Sequence, residues 1–224
     1  MTAPSPRTSA LISGFAYLAM TVIAFATALD PAVFSELVEG AGEPAPWPPT
    51  VQAGIFNLAA GLAVIAVLDV VIALGTWLLF RTGAPRISFW MGAARIAYAV
   101  LFGFAIAHLW TVYGIIRSTE MDASSVNAVL DAHQRFRAGW DLAFFVFALH
   151  LVLLGWLVWS DGIVRKVLGI LLVVAGVGYF ADSVIAFAMP RIEFRFGLYT
   201  FIGEMTFMIW LLVAAGRRRT GERP

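Results

Sequence analysis

Six stretches of this chain are apolar and long enough to cross a membrane, and this pattern constrains the fold more than any other feature. They cover about 10–29, 53–80, 88–116, 139–159, 164–189 and 196–216. None contains an internal proline, and a bilayer core of about 30 Å needs about 20 apolar residues per helix. No ten-residue alternation predicts a transmembrane strand. We therefore expect an all-α integral membrane bundle, a single domain over residues 1–224 with six transmembrane helices.

Composition supports this class and excludes others. Hydrophobic residues make up 61% of the chain and charged residues 13%, whereas a soluble domain carries about 25% charged residues. The net charge is +1 and cysteine is absent, so we expect no nucleic-acid partner, no disulfide and no thiolate metal site. The lipid bilayer is the partner that composition predicts, and no feature indicates an oligomeric state.

Basic residues are distributed unequally between the two sets of predicted loops. The first loop on one side, residues 30–52, contains four acidic residues and no basic residue. Because loops rich in arginine and lysine stay in the cytoplasm, we expect both termini to be cytoplasmic. The 14 to 1 excess of arginine over lysine suggests a bacterial source, and hence an inner membrane. The nine basic residues on the predicted cytoplasmic side are Arg7, Arg81, Arg86, Arg165, Lys166, Arg217, Arg218, Arg219 and Arg223.

The segment between spans 3 and 4 predicts a short extracytoplasmic amphipathic helix. Ser124 and Ser125 are residues of a type that caps helix starts. Mostly apolar residues follow them at helical spacing, so these residues would share one face of a helix. We expect this helix either to lie on the membrane surface or to cover an outward-facing cavity. The residues of that face are Val126, Val129, Leu130, His133 and Phe136.

Seven ionisable residues inside the apolar stretches are the candidate functional residues. An arginine or aspartate at the centre of a bilayer costs at least about 2.5–3.5 kcal/mol. Such residues therefore face a protein interior or an aqueous cavity, and they usually pair. This predicts a bundle with a polar interior. The seven residues are Asp69, Arg95, His108, Asp141, His150, Asp182 and Glu204.

Three of these residues are expected at the same depth. Asp69 lies 11 residues before Phe80, His150 lies 10 before Ser160 and Glu204 lies 12 before Gly216. All three are therefore roughly 15–18 Å from the predicted cytoplasmic end at 1.5 Å per residue. A hairpin turn near residues 83–85 brings Arg95 to the height of Asp69. A guanidinium and a carboxylate so placed neutralise each other.

Spans 5 and 6 supply the remaining candidates. Tyr179 and Asp182 share one face of span 5 because they are three residues apart. The hairpin between spans 4 and 5 brings Tyr179 near His150. Glu204 has no cation assigned to it in this arrangement, so it is the expected site of proton binding and release.

Motifs for several other chemistries are missing from the sequence. Neither H-E-x-x-H nor G-x-S-x-G occurs, and there is no phosphate loop. His108 and His150 differ in predicted height by roughly 15 Å, which is too far for both to ligate one haem iron. We therefore expect no metal and no cofactor.

The second half of the chain carries motifs in a distinctive order. An aromatic-rich span reads FFVFALHLVLLG (144–155), and VLGILLVVAGVGYFADS (167–183) follows. Gly203-Glu204 and Trp210-Leu211-Leu212 complete the order. This arrangement resembles the bacterial multi-pass membrane family catalogued as domain of unknown function 4386. The resemblance implies a six-helix fold, with Asp69 and Arg95 at the family's acid in helix 2 and arginine in helix 3, but it implies no activity.

Three functions are consistent with these residues. The first is transport or binding of a small molecule or proton-linked solute. The second is a membrane-embedded enzyme acting on a lipid-like substrate, with Glu204 or His150 as acid–base catalyst. The third is a non-catalytic subunit or sensor whose polar residues only fix helix packing. In the first, Glu204 and Asp182 are the expected titrating groups, and Asp69–Arg95 is the structural or coupling pair. The full set of ligand or proton-relay candidates is Asp69, Arg95, His150, Tyr179, Asp182 and Glu204.

Overall fold

The chain is described by a computed structural model over residues 4–28, 46–159, 162–189 and 196–216. The described part contains no strand, so the prediction of an all-α fold is confirmed. The acidic residues of loop 30–52 and the C-terminal arginines, both used to predict orientation, lie outside the described residues. The helices are α1 (Pro6–Ala28), α2 (Pro49–Phe80), α3 (Pro85–Ser118), α4 (Ala123–Val158), α5 (Ile163–Ala188), α6 (Gly197–Thr200) and α7 (Ile202–Gly216).

Five helices, α1 to α5, are long and apolar enough to cross a membrane. Large apolar side chains are exposed along them, among them Val67, Phe104 and Phe180. Soluble proteins rarely expose so much contiguous apolar surface, whereas lipid chains are a suitable medium for it. The chain is therefore a helical membrane protein.

The sixth predicted span is shorter than the others. Its main part, α7, has 15 residues, which is about 22 Å of helix, and the single turn α6 precedes it. Phe201 between them keeps helical angles, with φ −52° and ψ −21°. Asp182 determines where α6 begins, because its two carboxylate oxygens accept hydrogen bonds from the backbone N–H groups of Phe196 (2.6 Å) and Gly197 (2.7 Å).

Local chemistry explains where the long helices begin. Pro6, Pro49 and Pro85 are the first residues of α1, α2 and α3. Proline suits this position because its φ is already helical and its missing N–H has no partner to lose there. The residue before α5 is Gly162, whose φ of 102° is one that other residues rarely adopt.

The structure corrects the prediction of a separate amphipathic helix between spans 3 and 4. Ala123–Val158 is one continuous helix of 36 residues. Val126, Val129 and Phe136 are buried as the predicted face requires. Because no proline interrupts the segment, and both of its parts bury a face, the helix continues into the span without a break.

Asp122, rather than Ser124 or Ser125, caps the start of α4. Its Oδ1 accepts a hydrogen bond from the backbone N–H of Ser125 (2.7 Å). In return, the Ser125 hydroxyl accepts one from the backbone N–H of Asp122 (2.9 Å). This reciprocal arrangement is a capping box, with serine in the third helical position.

The Asp122 cap predicts a pH dependence for the first turn of α4. The backbone N–H of Ser125 donates to the Asp122 carboxylate and holds its pKa below the usual value. A carboxyl group with a lowered pKa stabilises the folded state above its unfolded pKa, about 3.9. This contribution is lost as the pH falls through the folded pKa. We therefore expect lower protection of the amides in this turn, relative to their intrinsic exchange rate at each pH, below pH of about 4, and in Asp122→Ala already at neutral pH.

Asp131→Ala is the matched control for that experiment. Asp131 is an exposed carboxylate on the same helix, and its ion pair with Arg135 is also exposed, so its removal has little effect. Amide hydrogen exchange at Ser125 and Val126 is the measurement. Equal exchange rates in Asp122→Ala and Asp131→Ala would contradict the capping role.

The chain divides into two compact units, each with its own interior. Unit 1 comprises Met1–Ala19, Leu68–Tyr98 and Phe144–Pro224, and unit 2 comprises Met20–Val67 and Ala99–Ala143. The core of unit 2 is apolar. The buried ionisable residues belong to unit 1, which therefore contains the candidate site. The core residues of unit 2 are Trp47, Val51, Ile55, Val112, Ile116, Val126, Val129 and Ala132.

Glycines allow α4, α5 and α7 to approach closely within unit 1. Gly155 and Gly169 face each other, and a methyl group on either Cα would lie 2.7 or 2.9 Å from the carbonyl oxygen of the other. Gly203 of α7 packs directly against the backbone of Leu171 on α5. Small residues permit such backbone contacts between membrane helices, where van der Waals packing drives association.

Candidate functional site

The candidate site is centred on Arg95, whose side chain is fully buried in unit 1. Its Nε and Nη2 atoms both donate to Oδ1 of Asp69, at 3.0 and 2.6 Å. Asp69 lies 11 residues before the end of α2, and Arg95 lies 10 residues after the start of α3. A short turn joins the two helices, so nearly equal distances from it place the two residues at nearly one height. The structure brings together the pair that the sequence predicted.

Two aromatic side chains cover the guanidinium group. The Tyr17 hydroxyl accepts a hydrogen bond from Nη1 of Arg95, and the guanidinium carbon lies 4.7 Å from the centre of the Tyr17 ring. The centre of the Phe147 ring is 5.4 Å away on another helix. Such cation–π contacts contribute about 2 kcal/mol when the cation is desolvated. They help to hold Arg95 in the interior.

His150 is the third polar partner of Arg95. Its Nε2 lies 3.0 Å from Nη1 of Arg95, and its Nδ1 lies 2.9 Å from the carbonyl oxygen of Met91. Arginine only donates hydrogen bonds and a carbonyl oxygen only accepts them. The partners therefore assign Nε2 as the acceptor and Nδ1–H as the donor. The imidazole is neutral, and both of its nitrogens are already bonded.

Unit 1 buries three carboxylates, those of Asp69, Asp182 and Glu204, among its described residues. Asp182 bonds to backbone groups, which leaves Glu204 as the second carboxylate of the site. The Tyr179 hydroxyl donates a hydrogen bond to its Oε1 at 2.9 Å. The sequence placed Tyr179 near His150, but the tyrosine hydroxyl bonds to Glu204. The Phe147 ring packs against the rings of Tyr179 and His150, with centre-to-centre distances of 5.3 and 5.8 Å. Aromatic packing thus joins the Glu204 pair to the Arg95 group.

The structure does not bring every predicted residue into this site. Asp182 is buried in unit 1, but both of its oxygens bond to backbone N–H groups at the start of α6. Its observed contacts are those of a residue that positions α6. His108 and Asp141 belong to unit 2 and are only half-buried. Within the described ranges, no three His, Asp or Glu side chains are grouped as metal ligands are.

The charges of the site do not balance when both carboxylates are ionised. Arg95 is the only buried cation in the part of the chain that the structure describes. It faces Asp69, while Glu204 bonds to a neutral phenol. The Oδ2 atom of Asp69 is buried without a hydrogen-bond partner among the described residues. Because His150 is neutral, the group becomes neutral only when one carboxylate binds a proton.

Sequence reasoning missed Tyr17 as a member of the site. Its signal was a line of polar residues at four-residue spacing on one face of α1, namely Ser9, Ser13 and Tyr17, all of which are buried. In an otherwise apolar span, such a line marks the face that turns toward the protein interior. Phe147 carried no comparable signal, because phenylalanine is found on lipid-facing surfaces as well as in protein interiors.

Comparison with known proteins places the chain in a family. An uncharacterized protein from Archaeoglobus fulgidus is 33% identical over 153 residues, which is 68% of this chain and 80% of that protein. No solved structure matches the chain significantly. The model of the family described as "Domain of unknown function (DUF4386)" matches residues 12–215, a range that contains the whole site. The resemblance seen in the sequence is therefore confirmed, and the chain belongs to the DUF4386 family.

Proposed function

We propose that this protein is a proton-linked membrane transporter or solute-binding protein in which Glu204 binds and releases the proton. The charge balance of the buried site carries the proposal: two carboxylates, one guanidinium and one neutral imidazole. Arg95 neutralises Asp69 through two hydrogen bonds to one oxygen. Glu204 is paired with the hydroxyl of Tyr179. Chains of acidic residues and histidine inside a membrane bundle are typical of proton relays.

Release of a proton from Glu204 would leave an uncompensated negative charge in the interior. Such a charge is unfavourable unless a cation, water or a polar ligand approaches it. Proton release therefore favours entry of a polar or cationic solute, and proton binding favours the closed arrangement described above. This difference in affinity between two states is the physical basis of coupling.

The geometry gives less support to an enzyme that uses His150 as a general base. A general base needs a free lone pair within reach of the proton that it removes. In His150 one nitrogen already accepts from Arg95 and the other donates to Met91. His150 instead orients Arg95, together with Tyr17 and Asp69.

Infrared spectroscopy tests whether Glu204 carries a proton. A protonated carboxyl group has a C=O stretching band distinct from that of a carboxylate. We expect this band at neutral pH in protein labelled with ¹³C-glutamate, and its loss in Glu204→Gln. Glu120→Gln, which changes an exposed glutamate, is the control and should keep the band. A neutral-pH spectrum in which the wild type lacks the band, or in which Glu204→Gln keeps it unchanged, would refute proton binding by Glu204.

A transport assay then tests the coupling. The protein is reconstituted in liposomes that contain a pH-sensitive dye, and cationic, neutral and anionic solutes are added in turn. We expect at least one class to drive proton movement in the wild type and in Glu120→Gln, but not in folded Glu204→Gln. Solute-driven proton movement that persists unchanged in Glu204→Gln would contradict the assigned role.

The proposal includes a location in a bacterial cytoplasmic membrane with both termini in the cytoplasm, on the basis of the charge asymmetry of the loops. The chain has no cysteine, so single-cysteine variants can be labelled without background. An impermeant maleimide should label Glu120→Cys in intact cells and Thr82→Cys only after permeabilisation, since both sites are exposed. The opposite labelling pattern would invert the topology.

A further inference from the structure

A cavity of about 400 Å³ lies in unit 1 at the turns that join α2 to α3 and α4 to α5. It is separate from the Arg95 site. Its lining is apolar and polar in about equal measure, and the apolar residues include Phe80, Trp156, Leu157 and Trp159. Among the described residues that line it, Arg165 is the one charged side chain. Its volume is within the range of about 300–1,000 Å³ that is usual for ligand sites.

The described lining of the cavity offers Arg165 no carboxylate, because none of those residues is acidic. The Arg165 Nε has no hydrogen-bond partner among the described residues. The guanidinium group lies over the Trp210 ring, 5.8 Å from its centre. A guanidinium held against aromatic walls favours an anion, and its planar donors fit a phosphate group especially well.

The surroundings of the cavity indicate a lipid as the source of the anion. Trp156 is 70% exposed and Trp159 is 51% exposed at the end of α4, and tryptophan side chains of this kind are enriched at the membrane interface. Arg81 follows the end of α2, and Lys166 lies in the first turn of α5. Clustered basic residues at this level attract anionic headgroups, while the apolar part of the cavity lining suits the first carbons of an acyl chain.

We propose that this cavity binds one anionic phospholipid, with its phosphate on Arg165 and its glycerol and upper acyl carbons against the Trp156 and Leu157 walls. The inference goes beyond the proposed transport function and does not depend on Glu204. The lipid would bind where two helix hairpins of unit 1 meet, so it would act as a structural ligand of that end of the unit.

Native mass spectrometry of the full chain in mild detergent tests the proposal. Phosphatidylglycerol and phosphatidylcholine with identical acyl chains are titrated separately. We expect one phosphatidylglycerol to bind at least about tenfold more tightly, which is the scale of a charge-assisted hydrogen bond. Arg165→Gln should remove this preference. Ala84→Phe, which fills the cavity without changing its charge, should weaken the binding of both lipids.

Lys166→Gln is the matched control, because it removes an exposed neighbouring charge that does not line the cavity. At high salt the Debye length is about 3 Å. Under this condition the phosphatidylglycerol affinity of Lys166→Gln should stay within about twofold of that of the wild type. Equal weakening in Arg165→Gln and Lys166→Gln would overturn the proposal, because it would show only a surface potential. Equal affinity for the two lipids would overturn it too. Displacement of phosphatidylglycerol by inorganic phosphate at similar concentration would reassign the cavity to a free anion.

Discussion

Arg95→Leu is expected to destabilise the folded protein by about 3–5 kcal/mol, because it leaves a buried carboxylate without its counter-ion. The substitution removes both hydrogen bonds to Oδ1 of Asp69, a residue that is 1% exposed. It also removes the guanidinium N–H groups that donate hydrogen bonds to the Tyr17 hydroxyl and to Nε2 of His150. The measurement is the free energy of unfolding in mixed detergent micelles.

The double variant Asp69→Leu, Arg95→Leu shows whether charge is the cause. No unpaired charge stays in the interior, so most of the lost stability should return. A double-mutant cycle gives the interaction energy directly. Arg86→Leu removes an exposed cation from the same helix and should change stability by less than about 0.5 kcal/mol. A double variant no more stable than Arg95→Leu would argue against the charge explanation.

Gly203→Ala is expected to destabilise the protein by about 1–3 kcal/mol, the usual cost of overpacking. The added methyl group would overlap the carbonyl oxygen of Leu171 and lie 2.8 Å from its carbonyl carbon. These are backbone atoms of α5, so they move only if α7 and α5 separate. The thermal unfolding midpoint in detergent is the measurement.

Gly103→Ala is the matched control for the packing argument. Gly103 also lies within a long helix, but a methyl group on it would meet nothing within 4 Å. Alanine is the better helix former by about 1 kcal/mol, so Gly103→Ala should be neutral or stabilising. If Gly203→Ala and Gly103→Ala unfold at the same temperature, close packing of α7 on α5 is not a source of stability.

The Asp69–Arg95 pair was predictable because it depends only on counting along a hairpin. Each residue of helix adds a fixed rise, so positions equally far from a short turn meet at one height. The same counting predicted Tyr179 near His150, and in the structure the rings of both lie against Phe147, but it did not predict that the Tyr179 hydroxyl is bonded to Glu204. Rotation of a helix about its axis decides which neighbour a side chain meets, and a uniformly apolar helix gives little signal about that rotation.

Helix α4 also combines a feature that the sequence predicted with one that it did not. The spacing of Val126, Val129 and Phe136 correctly indicated the buried face. Whether the chain bends before the membrane span was not contained in that spacing. In the structure the helix runs on without a break, since burial of one face on each part stabilises the continuous helix and no residue within it forces a bend.

The sequence by itself determined the membrane class, the approximate positions of the helices and the presence of a buried polar interior. These follow from local hydrophobicity and from the cost of placing charge in lipid, which each segment carries independently of the rest. Only the tertiary structure decided the neutral state of His150, the part of Tyr17, the backbone bonds of Asp182 and the cavity at Arg165. Each of these depends on contacts between separate helices, whose mutual packing no single segment encodes.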